Sequence, residues 1–99
     1  MSPRYQLTAS AQRDVDQITD FIAEDNVDAA LRVHEALESA FRHLAEMPEM
    51  GHTRADLTVR PVKFWSVYSY LIVYDPARAP LTVVAVLHGA RDVENILKS

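Results

Sequence analysis

Leu81-Thr82-Val83-Val84-Ala85-Val86-Leu87-His88 is apolar almost without interruption. A half-buried strand alternates apolar and polar residues, so a run this uniform reads as a strand that is covered on both faces or lies centrally in its sheet. Val84, Val86 and His88 share one parity, and Val83, Ala85 and Leu87 share the other. Just upstream, Pro76-Ala77-Arg78-Ala79-Pro80 reads as a hairpin loop. Val67–Asp75, rich in Tyr, Val and Ile, is the strand it joins. Further back, Thr58–Trp65 alternates loosely. Its Pro61 has no N–H to give a ladder, which assigns this stretch to an edge or marks a bulge. Pro48–Leu57 has no period and contains Gly51, so it reads as a loop.

The first half of the chain has a different rhythm. Ala11, Val15, Ile18 and Ile22 recur at steps of 4, 3 and 4, and Phe21 widens that stripe. The spacing predicts an amphipathic helix over Ala9–Glu24, with Thr8 as its N-cap. Asp25-Asn26 turns the chain. Ala30, Val33, Leu37, Phe41 and Leu44 form a second stripe that stops at Met47-Pro48, because a residue before proline avoids the helical region. So short a connection makes the helices antiparallel neighbours. Arg4–Leu7 is a short strand ahead of them. The expected fold is α+β and two-layered. A helical hairpin packs on a mainly antiparallel sheet, in the order β-α-α-β-β-β, with a short C-terminal tail over Asp92–Ser99. Residues 1–99 form one domain. Because the last strand is apolar on both parities, the sheet face away from the helices is expected to be an open apolar surface that needs a partner.

Composition removes several classes of function. The 99 residues are 48% hydrophobic and 24% charged, as in globular proteins, and contain no Cys. That excludes a disulfide scaffold and a thiolate metal site. No apolar run approaches the roughly 20 residues that cross a bilayer, and the N-terminus lacks the apolar core of a signal peptide; a cytoplasmic protein with no membrane partner is expected. Residues 1–50 carry four Arg against ten acids, whereas residues 51–99 carry six cations against four acids. The helical half is therefore the acidic half, which argues against sequence-specific DNA binding by this chain alone, since that needs a basic recognition helix. Acidic helix faces are otherwise simply solvated. His34, His43, His52 and His88 show no ligand-pair spacing, so no metal and no cofactor are expected.

Several stretches resemble one superfamily. Tyr5-Gln6-Leu7-Thr8 with Ala11, Asp14, Val15 and Ile18 is similar to the start of RelE/ParE-superfamily toxins. Pro48-Glu49-Met50-Gly51-His52-Thr53-Arg54-Ala55-Asp56-Leu57 resembles their Pro-x-x-Gly-x-x-Arg-x-x-Leu connection. Tyr70-Leu71-Ile72-Val73-Tyr74 and Val86-Leu87-His88-Gly89-Ala90-Arg91-Asp92, followed by Ile96-Leu97, match as well, and this ending looks most like the ParE branch. The resemblance spans nearly the whole chain. It implies the toxin of a type II toxin–antitoxin pair, of the kind associated with plasmid stabilisation. A ParE-like toxin inhibits DNA gyrase by binding, without enzymatic activity of its own, and is held by a ParD-like antitoxin in a hetero-oligomer. The RelE branch instead implies a ribosome-dependent mRNA endoribonuclease, and fold alone does not choose between them.

RNA cleavage requires a base for the 2′-hydroxyl, an acid for the leaving oxygen and positive charge at the phosphate. On the RelE reading the candidates are Arg54, Arg60, Lys63, His88 and Arg91. Arg60 and Lys63 point to opposite faces of a regular strand and converge only if Pro61 marks a bulge. No Tyr lies beyond Tyr74, and so thin a set favours the ParE reading. Each candidate also has a plain structural use. His88 serves as a hydrogen-bonding strand end, Arg54 and Asp56 as a loop brace, Arg91 and Asp92 as a tail anchor. Gly51 and Gly89 serve backbone conformations that other residues avoid. Trp65 and Phe64 face opposite ways, so one is core. The expected antitoxin contacts are Arg13, Asp20, Arg60, Lys63, Trp65 and Arg91, met by helix-in-groove packing or strand addition. An acidic antitoxin segment that folds on binding suits the basic half.

Overall fold

The computed structural model describes residues 4–89 and 97. The chain runs β1 (Tyr5–Leu7), α1 (Ala9–Ala23), α2 (Val27–Glu46), a 3-10 turn (Pro48–Met50), β2 (Lys63–Val67), β3 (Tyr70–Asp75) and β4 (Leu81–His88). The element order and the α+β architecture are those expected.

Both helices begin on side-chain caps. Thr8 Oγ1 accepts the Ala11 N–H at 3.1 Å, and Asn26 Oδ1 accepts the Ala29 N–H at 3.0 Å. Residues 24–26 reverse the chain, with the Asn26 N–H returned to the Ile22 carbonyl at 2.9 Å. α2 ends at Met47, whose non-helical backbone (φ −132°, ψ 73°) leads into Pro48. The paired stripes bury Ala11 and Val15 of α1 with Leu37, Phe41 and Leu44 of α2. Phe21 is not among them. Its ring lies about 60° further round the helix than Ile18, as three residues at 3.6 per turn require, and it is 71% exposed.

The sheet order is β1-β4-β3-β2. β4 is internal, as its uniform apolarity predicts. β1 pairs with β4 in parallel, and the other pairs are antiparallel, so the sheet is mixed. One face carries Ile72, Tyr74, Leu81, Val83 and Val86 against the helices. The strict alternation expected in β4 fails at one residue. Val73 pairs with Ala85 and Tyr74 with Val83, which leaves Val84 as a bulge. Val83 and Val86 therefore share the helix face despite their odd separation, while Ala85 and Leu87 take the other.

That other face is not the open apolar surface expected. Phe64, Leu71, Val73, Ala85 and Leu87 are all buried there, with Leu57, Val62, Val84 and Leu97 packed against them. The connection ahead of β2 and Leu97 of the C-terminal segment seal it. Apolar strand residues on both parities thus signal a strand buried by its own chain. Apart from Leu97, the tail expected over 92–99 lies outside the described residues.

Two strand boundaries also move. Residues 58–62 bend, with the Arg60 N–H on Thr58 Oγ1 at 3.1 Å, so β2 starts after Pro61 and not at Thr58. The β2–β3 turn is Tyr68-Ser69, with Tyr68 at φ 54°. Two-residue hairpin turns need positive φ and normally announce it with Gly, Asn or Asp. None is present, so Val67 reads as the start of β3 when it is the end of β2.

Candidate functional site

Among the described candidates, Arg60 and Lys63 do not converge with His88, whereas Arg54 lines a cleft of about 160 Å³ with Tyr70 and with Gly89, the residue after His88. Arg54 lies in the connection ahead of β2 and grips Asp56 with two bonds, Nε to Oδ1 at 3.0 Å and Nη2 to Oδ2 at 2.8 Å. The hydrogen bond from Arg54 holds the Asp56 carboxyl below the usual range, and the same bond holds the guanidinium above its own. The Arg54 carbonyl accepts the Leu57 and Thr58 N–H groups at 2.9 and 3.0 Å, which closes the turn that precedes the bend into β2. Arg54 is a loop brace. Lys63 opens β2, and its Nζ lies 3.4 Å from Glu49 Oε2 in the 3-10 turn. Arg60 lies outside the strand, beside a 220 Å³ cleft with Pro61, Val62, Asp75, Arg78 and Leu97. Pro61 therefore supplies no bulge that would bring Arg60 and Lys63 together.

His88 ends β4, exposed, its ring 5.1 Å from that of Tyr70. Lys63 is opposite Tyr74 and His88 opposite Tyr70. Four residues along a strand are about 13 Å, so the only described acid/base candidate and the Lys63 cation sit at opposite ends of the sheet. Arg91 lies outside the described residues. Among the described residues no three His, Asp or Glu side chains group as a metal site. His34 instead lies 3.3 Å from Glu38 on the next turn of α2.

The expected antitoxin contacts fall in two places. Arg13 and Asp20 are exposed on α1, seven residues apart. Lys63 and Trp65 are on β2, with Phe64 between them buried on the far face, so Phe64 is the core residue of that pair. The Trp65 ring stacks on His52 at 6.1 Å and 17°.

Two surface grooves flank the helical layer. One, of about 550 Å³, lies between α2 and β2 and is lined by Ala36, Ala40, His43, Met47, Met50 and Trp65 among others. The other, of about 360 Å³, lies between α1 and the end of β4, with Asp14, Ile18, Phe21, Tyr70, Val86 and His88 in its walls. β1 covers only residues 81–83 of β4. Beyond it α1 takes over the edge, and Asp14 Oδ2 accepts the Val86 N–H at 3.0 Å. Burial pushes the Asp14 carboxyl above the usual carboxylate value, while the Val86 N–H and the Arg13 charge pull it back. A stripe count that includes Phe21 hides this groove, because it places that ring in the core. The signal available was its offset from the stripe.

Three comparisons bear on this arrangement. A family model described as "ParE toxin of type II toxin-antitoxin system, parDE" matches residues 5–93. No curated protein matches. Among solved structures, the chromosomal ParDE TA system from P. aeruginosa is similar, with a TM-score of 0.72 at 14% identity, covering 89% of this chain and 97% of that one. At such low identity the likeness is one of fold.

Proposed function

The chain belongs to the family of ParE toxins of type II toxin–antitoxin systems, and from that membership we propose that it inhibits DNA gyrase by binding and is neutralised by a ParD-like antitoxin. Among the described residues, the separation of Lys63 from His88 and the pairing of Arg54 and Lys63 with carboxylates favour a binding poison over a nuclease. Arg54 is spent on Asp56 and Lys63 on Glu49, and His88 is a strand length from Lys63. A ribosome-dependent nuclease needs base, acid and cation around one phosphate. The toxin acts in the cytoplasm, and no described helix is long and apolar enough to cross a membrane. It forms a hetero-oligomer with the antitoxin, contributes to plasmid stabilisation where its genes are plasmid-borne, and binds no DNA sequence by itself. Arg13, Asp20, Arg60, Lys63, Trp65 and Arg91 are the proposed antitoxin contacts.

The test is expression of the chain alone and beside its antitoxin, with purified gyrase assayed for supercoiling and cleavage complexes. Growth arrest with gyrase-linked DNA breaks, relieved by the antitoxin, is the expected result. The His88→Ala variant should remain as toxic as the parent. Arrest with intact DNA and normal supercoiling, together with mRNA cut on translating ribosomes, would overturn the gyrase assignment.

A further inference from the structure

We infer that the groove between α1 and the end of β4 is an anchor site for the antitoxin, taking an apolar side chain of that partner with a neighbouring Lys or Arg directed at Asp14. This rests on the toxin–antitoxin reading and says where, and with what chemistry, the partner is held.

Phe21 marks the groove. An exposed aromatic ring on a surface helix costs solubility and adds nothing to this core, yet it stands 71% exposed on the rim of a concave surface. Ile18 and Val86 make the groove apolar, and Tyr70 and His88, packed ring on ring, form a wall at its end. Its volume of about 360 Å³ has room for an aromatic side chain and its neighbour. Aromatic rings beside a desolvated pocket are the usual anchors of protein interfaces.

Charge decides what lies beside the anchor. Asp14 is half-buried in the groove wall, with only its Oδ2 engaged by Val86. Burial disfavours its charge, so the free protein holds an incompletely compensated carboxylate at the site. Asp16, Asp20 and Glu24 add negative charge along exposed α1, against Arg13 alone. A cation from the partner would compensate Asp14 where solvent is excluded, and such a pair gives specificity as well as affinity. An acidic segment, which suits the basic half of the chain, is the wrong sign here.

The experiment measures binding of the full-length antitoxin encoded beside this gene to the wild-type chain and to three variants. Phe21→Ala should weaken binding about 30-fold or more, as for an aromatic hot spot. Asp14→Asn keeps an acceptor for the Val86 N–H and removes only the charge; it should weaken binding about tenfold. Val59→Ala, at a side chain 90% exposed elsewhere, should bind like wild type. Circular dichroism and melting establish that each variant is folded, and truncation of so exposed a ring should leave the fold intact. Binding within twofold of wild type for folded Phe21→Ala and Asp14→Asn would overturn the anchor site and leave the toxin–antitoxin reading standing. Failure of the wild-type chain to bind would overturn both. Self-association abolished by Phe21→Ala, with antitoxin binding unchanged, would assign the groove to a second copy and also overturn the proposal.

Discussion

Gly51 shows how a single hydrogen atom in place of a side chain can fix a loop. Its φ of −72° is ordinary extended backbone, so the conformational freedom expected of this glycine is not what it supplies. Space is. Its N–H donates to the buried Tyr74 hydroxyl at 2.9 Å, that hydroxyl donates to the Pro48 carbonyl at 2.7 Å, and an added Cβ would collide with the same oxygen. Burial raises the phenol pKa, which keeps the hydroxyl a donor. Tyr74→Phe would strand two partly enclosed backbone groups and should cost about 1–3 kcal/mol. Gly51→Ala should also destabilise, and the double variant should lose less than the sum, because the phenol oxygen is the main obstacle. Urea titration of the four proteins measures the coupling. Asp14 makes a second test. Its folded pKa lies above the ordinary carboxylate value, so the folded state holds the proton more tightly than the unfolded chain does. Stability from this group is fully present below the ordinary value and is lost as pH rises through the raised one. Asp14→Asn should remove that slope and raise the melting temperature at pH 7, whereas Asp14→Ala, which leaves the Val86 N–H without its acceptor, should lower it. A flat difference between Asp14→Asn and wild type from pH 3 to 7 would contradict this.

Thr8 joins the elements. It caps α1, its N–H donates to the Val83 carbonyl at 3.0 Å, and its hydroxyl donates to the carbonyl of bulged Val84 at 3.3 Å. The helix start and the bulge in β4 are therefore one construction. Thr8→Ala should cost about 1–2 kcal/mol, at the upper end for a cap, and Thr8→Ser should recover most of it, as thermal denaturation would show. The fold is legible in the sequence where a pattern has a physical carrier. Periodicity located both helices, Thr8 their start and Met47-Pro48 their end. It failed where the carrier was silent. Nothing in Val83-Val84-Ala85 distinguishes a bulged valine from a paired one. A tight turn at Tyr68-Ser69, held at positive φ without Gly or Asn, leaves no trace in composition.

The assembled sheet explains the larger misreading. β4 is apolar on both parities, which is compatible with a partner or with the chain's own cover; only long-range packing decides, and here Leu57, Val62 and Leu97 provide the cover. Leu97→Ala should therefore destabilise by about 1–2 kcal/mol, less than the 2–5 of a fully buried leucine, and should increase binding of a hydrophobic dye. Unchanged stability would mean that the second face is closed without it. The proposed site shows the same limit. Arg54, Arg60, Lys63 and His88 are identifiable as charged or titratable from sequence, but their separation depends on which sheet end and which ion pair each one joins. The α1 groove depends on Phe21 falling just beyond the buried stripe, a matter of helix rotation that a count of apolar residues does not resolve.

Gln6 and Thr82 are 76 residues apart and sit side by side. During synthesis the opening strand leaves the ribosome early and waits without a parallel neighbour until residues 81–83 follow. A message broken anywhere before that point yields a fragment that lacks its central strand and cannot build the domain. Closure of the sheet is therefore a late event, because β4 is the strand with which both β1 and β3 pair.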